Sequence, residues 1–264
     1  MHDITLPVLM LAGLLIAAVS ALLYRQHRRS ARQLLWATLR MAVQLTLVGL
    51  VLQALFAHTA LWSVCLVGLL MMLLAGHEIR ARQRYRGGWR GEWLTGLLSL
   101  SLGSMLLTLL TLTVLVQPEP WYQPRYAIPF LGMLLGNSMT GIAMTLNRIR
   151  EGAFQQAAIV ETRLALGEDA RSASAGLRAD GLRQSLIGVI NMLAAAGVVS
   201  LPGMMTGQLL AGADPLTAVR YQILILLLIA TATVIGSLVA AELACRQLFD
   251  NRQRLALGTF TDHG

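Results

Sequence analysis

Seven apolar stretches, set apart by clusters of arginine, restrict what this chain can fold into. A helix needs about 20 apolar residues to cross the hydrocarbon core of a bilayer. Stretches of that order run at roughly 5–23, 34–56, 60–75, 93–116, 127–146, 186–201 and 218–241, the sixth being short and broken by Gly197 and Pro202. With 56% apolar and only 13% charged residues, and a mean hydropathy of +0.63, the 264-residue chain lies outside the range of soluble domains. The sequence predicts an all-α polytopic membrane protein with about seven transmembrane helices, a single domain over 1–264.

All 21 basic residues are arginine, and they set a net charge of +8. Their distribution gives the orientation. Arg25, Arg28, Arg29 and Arg32 follow the first run, and five arginines from Arg80 to Arg90 follow the third. Six from Arg148 to Arg183 follow the fifth, and Arg246, Arg252 and Arg254 end the chain. The His58–Thr59 turn has none, and the proline-rich 117–126 loop has only Arg125. Arginine collects on the cytoplasmic side of membrane helices, so the N-terminus is expected outside and the C-terminus in the cytoplasm. No RNA-binding or zinc-finger pattern accompanies the arginines, which points to a lipid bilayer and excludes nucleic acid as the partner. The first run is preceded by Asp3 rather than arginine and lacks an A-x-A site, so it reads as a retained helix. Cys65 and Cys245 form no metal or redox spacing.

The long non-spanning segment at about 147–185 is expected to be a cytoplasmic insertion, helical over 151–170 and 173–184. At about 40 residues it is too short for a nucleotidase domain. A Walker loop requires a lysine for the β- and γ-phosphates, and this chain has no lysine. Any ATP and magnesium therefore belong to a separate ATPase, and no cofactor is expected in this chain. Hydrolase and metalloprotease signatures are also missing, so the chain reads as a transport subunit and not as an enzyme.

Polar residues at membrane depth supply the candidate site. Arg40 and Gln44 stand four residues apart on one helix face, and a charge inside a bilayer marks a pathway, a buried partner or a snorkelling side chain. Gly132 and Gly136 form a small-xxx-small pair followed by Asn137, Ser138, Thr140 and Gly141, a pattern suited to close helix approach and interhelical hydrogen bonds. Arg40, Gln44, Asn137 and Thr140 are the substrate-pathway candidates. The 200–215 stretch is interrupted by Pro202, Gly203, Gly207, Gly212 and Pro215, and irregular backbone at this depth needs protein or a cavity around it. Pro202, Gly203, Met204, Met205, Gly207 and Gln208 are the expected gate, either re-entrant or outside the membrane. Most of the 12 methionines must fill gaps between helices. His77 and Glu78 read as a solvated helix end, and the metal ligands, if the chain has any, are left open.

The heptapeptide ETRLALG at 161–167 resembles the E-A-A-x-x-x-G motif of bacterial ABC importer permeases, without its two alanines. Taken with GNSMT at 136–140, LPGMMTG at 201–207, AGADP at 211–215 and RYQ at 220–222, the chain from 34 to 247 is similar to the FetB-type permeases. These are proposed bacterial iron exporters related to plant aluminium-tolerance permeases. The resemblance implies an inner-membrane ABC permease working as a homodimer with a cytoplasmic FetA-like ATPase, exporting iron and aiding resistance to oxidative stress. It also implies that Glu161, Arg163 and Gly167 form the ATPase-coupling helix. Two other readings stand beside it. Export of an organic anion such as a sugar nucleotide is favoured by Arg40 and by the lack of an intramembrane carboxylate or histidine cluster. A non-transporting scaffold or sensor subunit would use the arginine-rich loops to recruit a partner. An ion-gradient transporter ranks last, because inverted repeats and intramembrane acids are not evident.

Overall fold

The computed structural model describes residues 6–57, 60–250 and 252–262; Asp3 and the His58–Thr59 turn lie outside them. The chain divides into two compact units, Met1–Ala60 and Leu61–Gly264, a boundary that the sequence analysis does not mark.

The first unit holds α1 (Leu6–Gln26) and α2 (Arg28–Ala57), separated by the single residue His27. Arg25, Arg28, Arg29 and Arg32, expected in a loop, lie within the two helices. Most of the unit's large apolar side chains are exposed, Leu14, Leu22, Trp36 and Leu45 among them. Such all-round apolar helices suit a lipid or protein environment and not water.

The second unit contains α3 (Leu61–Ala81) and then the helical stretch Trp89–Leu115, which runs through α4 (Trp89–Leu100), a π-helical turn (Ser101–Met105), α5 (Leu106–Leu110) and a second π-helical turn (Thr111–Leu115). α6 (Pro124–Gln155) follows, then the short α7 (Ala157–Ala165) and α8 (Ala170–Ala173), α9 (Ala175–Ala195), α10 (Gly203–Leu210) and α11 (Pro215–Gln247). Two-residue strands β1 (Tyr85–Arg86) and β2 (Thr261–Asp262) pair antiparallel, with Arg86 opposite Thr261. α6 and α11 form the centre: α6 packs on α3, α9 and α11, and α11 packs on α4, the first π turn and α9. Leu135, Ile142, Leu146 and Ile149 of α6 meet Ala240, Ala241 and Ala244 of α11 in the buried core.

Among the described residues, six helices are long and apolar enough to cross a membrane, not the seven expected. The missing one is the 186–201 run. Its first ten residues are the second half of α9, whose first half carries Arg178, Asp180 and Arg183. The helix then stops in a type II turn: Ala196 is extended (φ −64, ψ 127), Gly197 is left-handed (φ +80), and the Val198 N–H donates to the Ala195 carbonyl at 3.4 Å. Pro202, with no N–H, precedes α10. The 147–185 segment also differs from expectation, since 147–155 extend α6 and 175–185 open α9. At 32 residues α6 measures about 48 Å, well beyond the roughly 30 Å of a hydrocarbon core.

Missing side chains let the central helices touch. A Cβ on Gly103 would stand 2.5 Å from the Ala232 carbonyl oxygen and 3.0 Å from the Gly236 nitrogen, so the first π turn meets α11 backbone to backbone. A Cβ on Gly141 would strike Thr233 of α11 and Ser185 of α9. Replacing Gly103 by alanine is expected to cost about 1–3 kcal/mol, because backbone on both sides has to move. The same change at Gly136, which has nothing within 4 Å, should be near neutral. Unfolding titrations of both variants in mixed micelles check the contrast.

Candidate functional site

Helix α7 forms the exposed face of the expected coupling segment. Gln156 (φ −112, ψ 23) leaves the helical region and separates α7 from α6, so the single helix expected over 151–170 is broken. Val160 is buried and Leu164 packs against the core, which fixes one side of α7. Glu161 and Arg163 are exposed on the other, with Ile159 at 56% and Leu166 at 80% exposure. Gly167, at φ +95, ends the helix. Its N–H donates to the Leu164 carbonyl at 3.0 Å and the Glu168 N–H donates to the Arg163 carbonyl at 3.1 Å. This is a Schellman cap, and its left-handed residue favours glycine.

Asn137 and Thr140 line one groove of about 210 Å³ between α6, α9 and α11. Ser185, Thr233, Met144 and Met192 complete its chemistry, and the sequence analysis named none of these four. The Ser185 and Ser237 hydroxyls lie 2.7 Å apart beside it, joining α9 to α11. Asn137 donates its amide N–H to the Met133 carbonyl at 2.8 Å, and Thr140 donates its hydroxyl to the Gly136 carbonyl at 3.3 Å. The Thr140 hydroxyl and one of the two Asn137 amide N–H groups are thus held by their own helix, and the lining offers a solute neutral polar groups and thioethers. Arg40 and Gln44 sit one turn apart on α2 in the first unit, both exposed.

The expected gate forms the eight-residue α10, packed on α11. Pro202 is its extended N-cap; Met204, Met205 and Gln208 are half-buried, and Gly203 and Gly207 are exposed. Asp214 then caps α11, accepting from the Thr217 N–H and hydroxyl, each at 2.9 Å, with Pro215 in the first turn. The AGADP motif is thereby a helix-start signal. The Thr217 N–H and hydroxyl hold the Asp214 carboxyl below the usual carboxylate range.

A buried charge cluster lies at the arginine-rich end of the second unit. Glu92, in the first turn of α4, pairs with Arg150 of α6 at 2.8 Å, their side chains 3% and 2% exposed. Arg80 of α3 stands 3.3 Å from the other Glu92 oxygen, without hydrogen-bond alignment. The Gly87 N–H donates to Glu92 Oε1 at 2.6 Å, and Arg150 Nη1 donates to the Tyr85 carbonyl at 3.1 Å. Gln83 adds a tie from α3 to α6, donating to the Ile79 and Ala143 carbonyls. The sequence signal for this cluster is Glu92 itself, a lone acid at the start of a long apolar run. Among the described residues no group of three or more His, Cys, Asp or Glu is placed to hold a metal ion.

Replacing Glu92 by alanine is expected to cost about 3–5 kcal/mol, because it strands the buried Arg150 guanidinium. A Glu92→Leu, Arg150→Met pair should recover most of that loss, and a double-mutant cycle read by unfolding in micelles measures it. Asp214→Ala is expected to lower the unfolding midpoint at neutral pH. The folded-state pKa of Asp214 is depressed, so its contribution is present above the unfolded value and lost as pH falls through the folded one. The gap between variant and wild type should therefore close in acid, which a pH series of thermal melts checks.

The family described as "Uncharacterised protein family (UPF0014)" matches residues 6–249. A UPF0014 membrane protein of Synechocystis is 40% identical over 92% of this chain and 93% of its own length. "Protein ALUMINUM SENSITIVE 3" of Arabidopsis thaliana is 33% identical, covering 95% of this chain and 90% of its own. "Probable iron export permease protein FetB" of Escherichia coli is 27% identical over 97% and 96% of the two chains. No solved structure matches the chain.

Proposed function

The chain belongs to the UPF0014 family of membrane proteins, and on that premise we propose that it is the permease subunit of an ATP-binding cassette exporter. The observation that carries this reading is α7, a short helix anchored on one side by Val160 and presenting Ile159, Glu161, Arg163 and Leu166 on the other. A free helix face of mixed apolar and charged character fits a groove on a partner chain, and the partner here is a cytoplasmic FetA-like ATPase. That ATPase supplies ATP and magnesium; the permease supplies the path.

Two copies of the permease sit in the bacterial inner membrane with their arginine-rich ends in the cytoplasm. Asn137 and Thr140 line the path from the groove of α6, α9 and α11, and α10 is the gate; Arg40 and Gln44 of α2, in the first unit, are kept as pathway candidates by themselves. Iron is the proposed cargo, from the similarity to the Escherichia coli FetB protein, and its removal supports resistance to oxidative stress. An organic anion is the second cargo class, favoured by Arg40 and by the lack, among the described residues, of any group of three or more His, Cys, Asp or Glu placed to hold a metal ion.

ATP-dependent uptake of Fe²⁺ into inverted vesicles holding the permease and its ATPase tests the reading. Uptake is expected with the wild-type pair, and a loss of tenfold or so with Glu161→Ala, Gly167→Leu, because the Schellman cap and an exposed charge both go. Hydrolysis of ATP without iron movement would overturn the cargo and leave the coupling.

A further inference from the structure

The C-terminal tail does not trail from α11. Leu248 is buried in the core, and the Ala256 N–H donates back to its carbonyl at 2.8 Å. Between them the chain makes a tight loop closed by Asp250, which accepts from the Arg252 and Arg254 N–H groups and pairs with Arg254 Nε at 3.2 Å. Within this loop Gln253 is left-handed at φ +57, a conformation that a residue other than glycine adopts only when its surroundings hold it. The Gln253 side chain reaches α8, where its Oε1 accepts the Ala170 N–H at 3.3 Å.

The far end of the same tail lies on the charge cluster. β2 pairs with β1, and the Thr261 hydroxyl donates to the Arg86 carbonyl at 3.2 Å. The Phe260 ring stands 5.6 Å from the Arg150 guanidinium and so near Gly87 that a Cβ there would meet it at 3.0 Å. Leu255, Leu257 and Phe260 all pack against the core. One short segment therefore touches α8 at one end and the partners of Glu92 at the other.

We propose that Gln253 and Phe260 are positioning residues of a C-terminal strap that ties the α7–α8 coupling segment to the α3–α4 loop, so that displacement of α8 is carried to the Glu92–Arg150 pair. The inference rests on the reading of α7 as the helix on which the ATPase acts, with α8 following it directly in the chain. Its physical basis is a continuous set of contacts between two sites that are distant in sequence. The strap works as a tether because Asp250 closes the loop that presents Gln253, Leu255 and Leu257 seat its middle on the core, and the Phe260 ring with the β1–β2 pairing holds its far end.

Hydrogen exchange on the full chain in lipid nanodiscs tests the tether, and needs neither ATPase nor substrate, so a failure of the transport reading leaves its result legible. Phe260→Ala is expected to speed exchange at the amides of α8 by about tenfold, as well as at Arg86 and Gly87, with Ala232 and Gly236 of α11 unchanged. Phe260→Tyr keeps the ring and should match wild type. Gln253→Ala provides the reverse direction and is expected to speed exchange at Arg86 and Gly87. A Phe260→Ala effect confined to the β1–β2 end, or a Gln253→Ala effect confined to α8, would overturn the proposal.

Discussion

Glu92 and Arg150, 2.8 Å apart and almost free of solvent contact, hold the arginine-rich ends of α4 and α6 together, and Arg80 brings α3 to the same point. Removing two charges from water costs several kcal/mol for each ion, and their attraction offsets this only when their remaining valences are also met. Here the surrounding loop meets many of them. The Gly87 amide and the Tyr85 carbonyl both point into the pair, and Tyr85 stacks on Phe154 at 4.2 Å. The α3–α4 loop is therefore shaped around the charges, and the β1–β2 pairing that receives the tail depends on that shape.

Further along the same helices the means of cohesion changes. Within a bilayer lipid tails match leucine in apolarity, so helices associate through close packing and hydrogen bonds. Gly103 against Gly236 brings the first π turn to backbone contact with α11, and Gly141 lets the Thr233 and Ser185 side chains of α11 and α9 pack directly on α6. The groove that holds Asn137 and Thr140 opens beside this crossing. Its polar lining thus sits on helices whose spacing is set by absent side chains.

What could be read in advance follows from the range of the interactions involved. Apolar length is a local property, so five of the seven expected spans each fall on a single long helix, and the 93–116 run is the Trp89–Leu115 stretch. The sixth expected span, 186–201, does not form a helix of its own because a helix is defined by where its backbone stops, and Arg178, Asp180 and Arg183 precede the apolar half without ending it. Asn137 and Thr140 were legible as polar residues on a small-residue face. Ser185 and Thr233 were not, because only the folding of α9 and α11 against α6 brings them near. Glu92 shows the same limit: its partner is 58 positions away, and no periodicity links them. The glycine of the ETRLALG motif, by contrast, was legible by spacing, and the structure supplies its reason in the Schellman cap.

The uninterrupted length of α6 has a mechanical consequence. From Asn137 to Gln155 it advances about 27 Å without a break in its hydrogen bonding, and at Gln156 the chain pivots into α7. The buried Arg150 lies on the same rod, between that junction and the groove residues. Bending α6 between the α7 junction and Asn137 or Thr140 would therefore have to break helical hydrogen bonds.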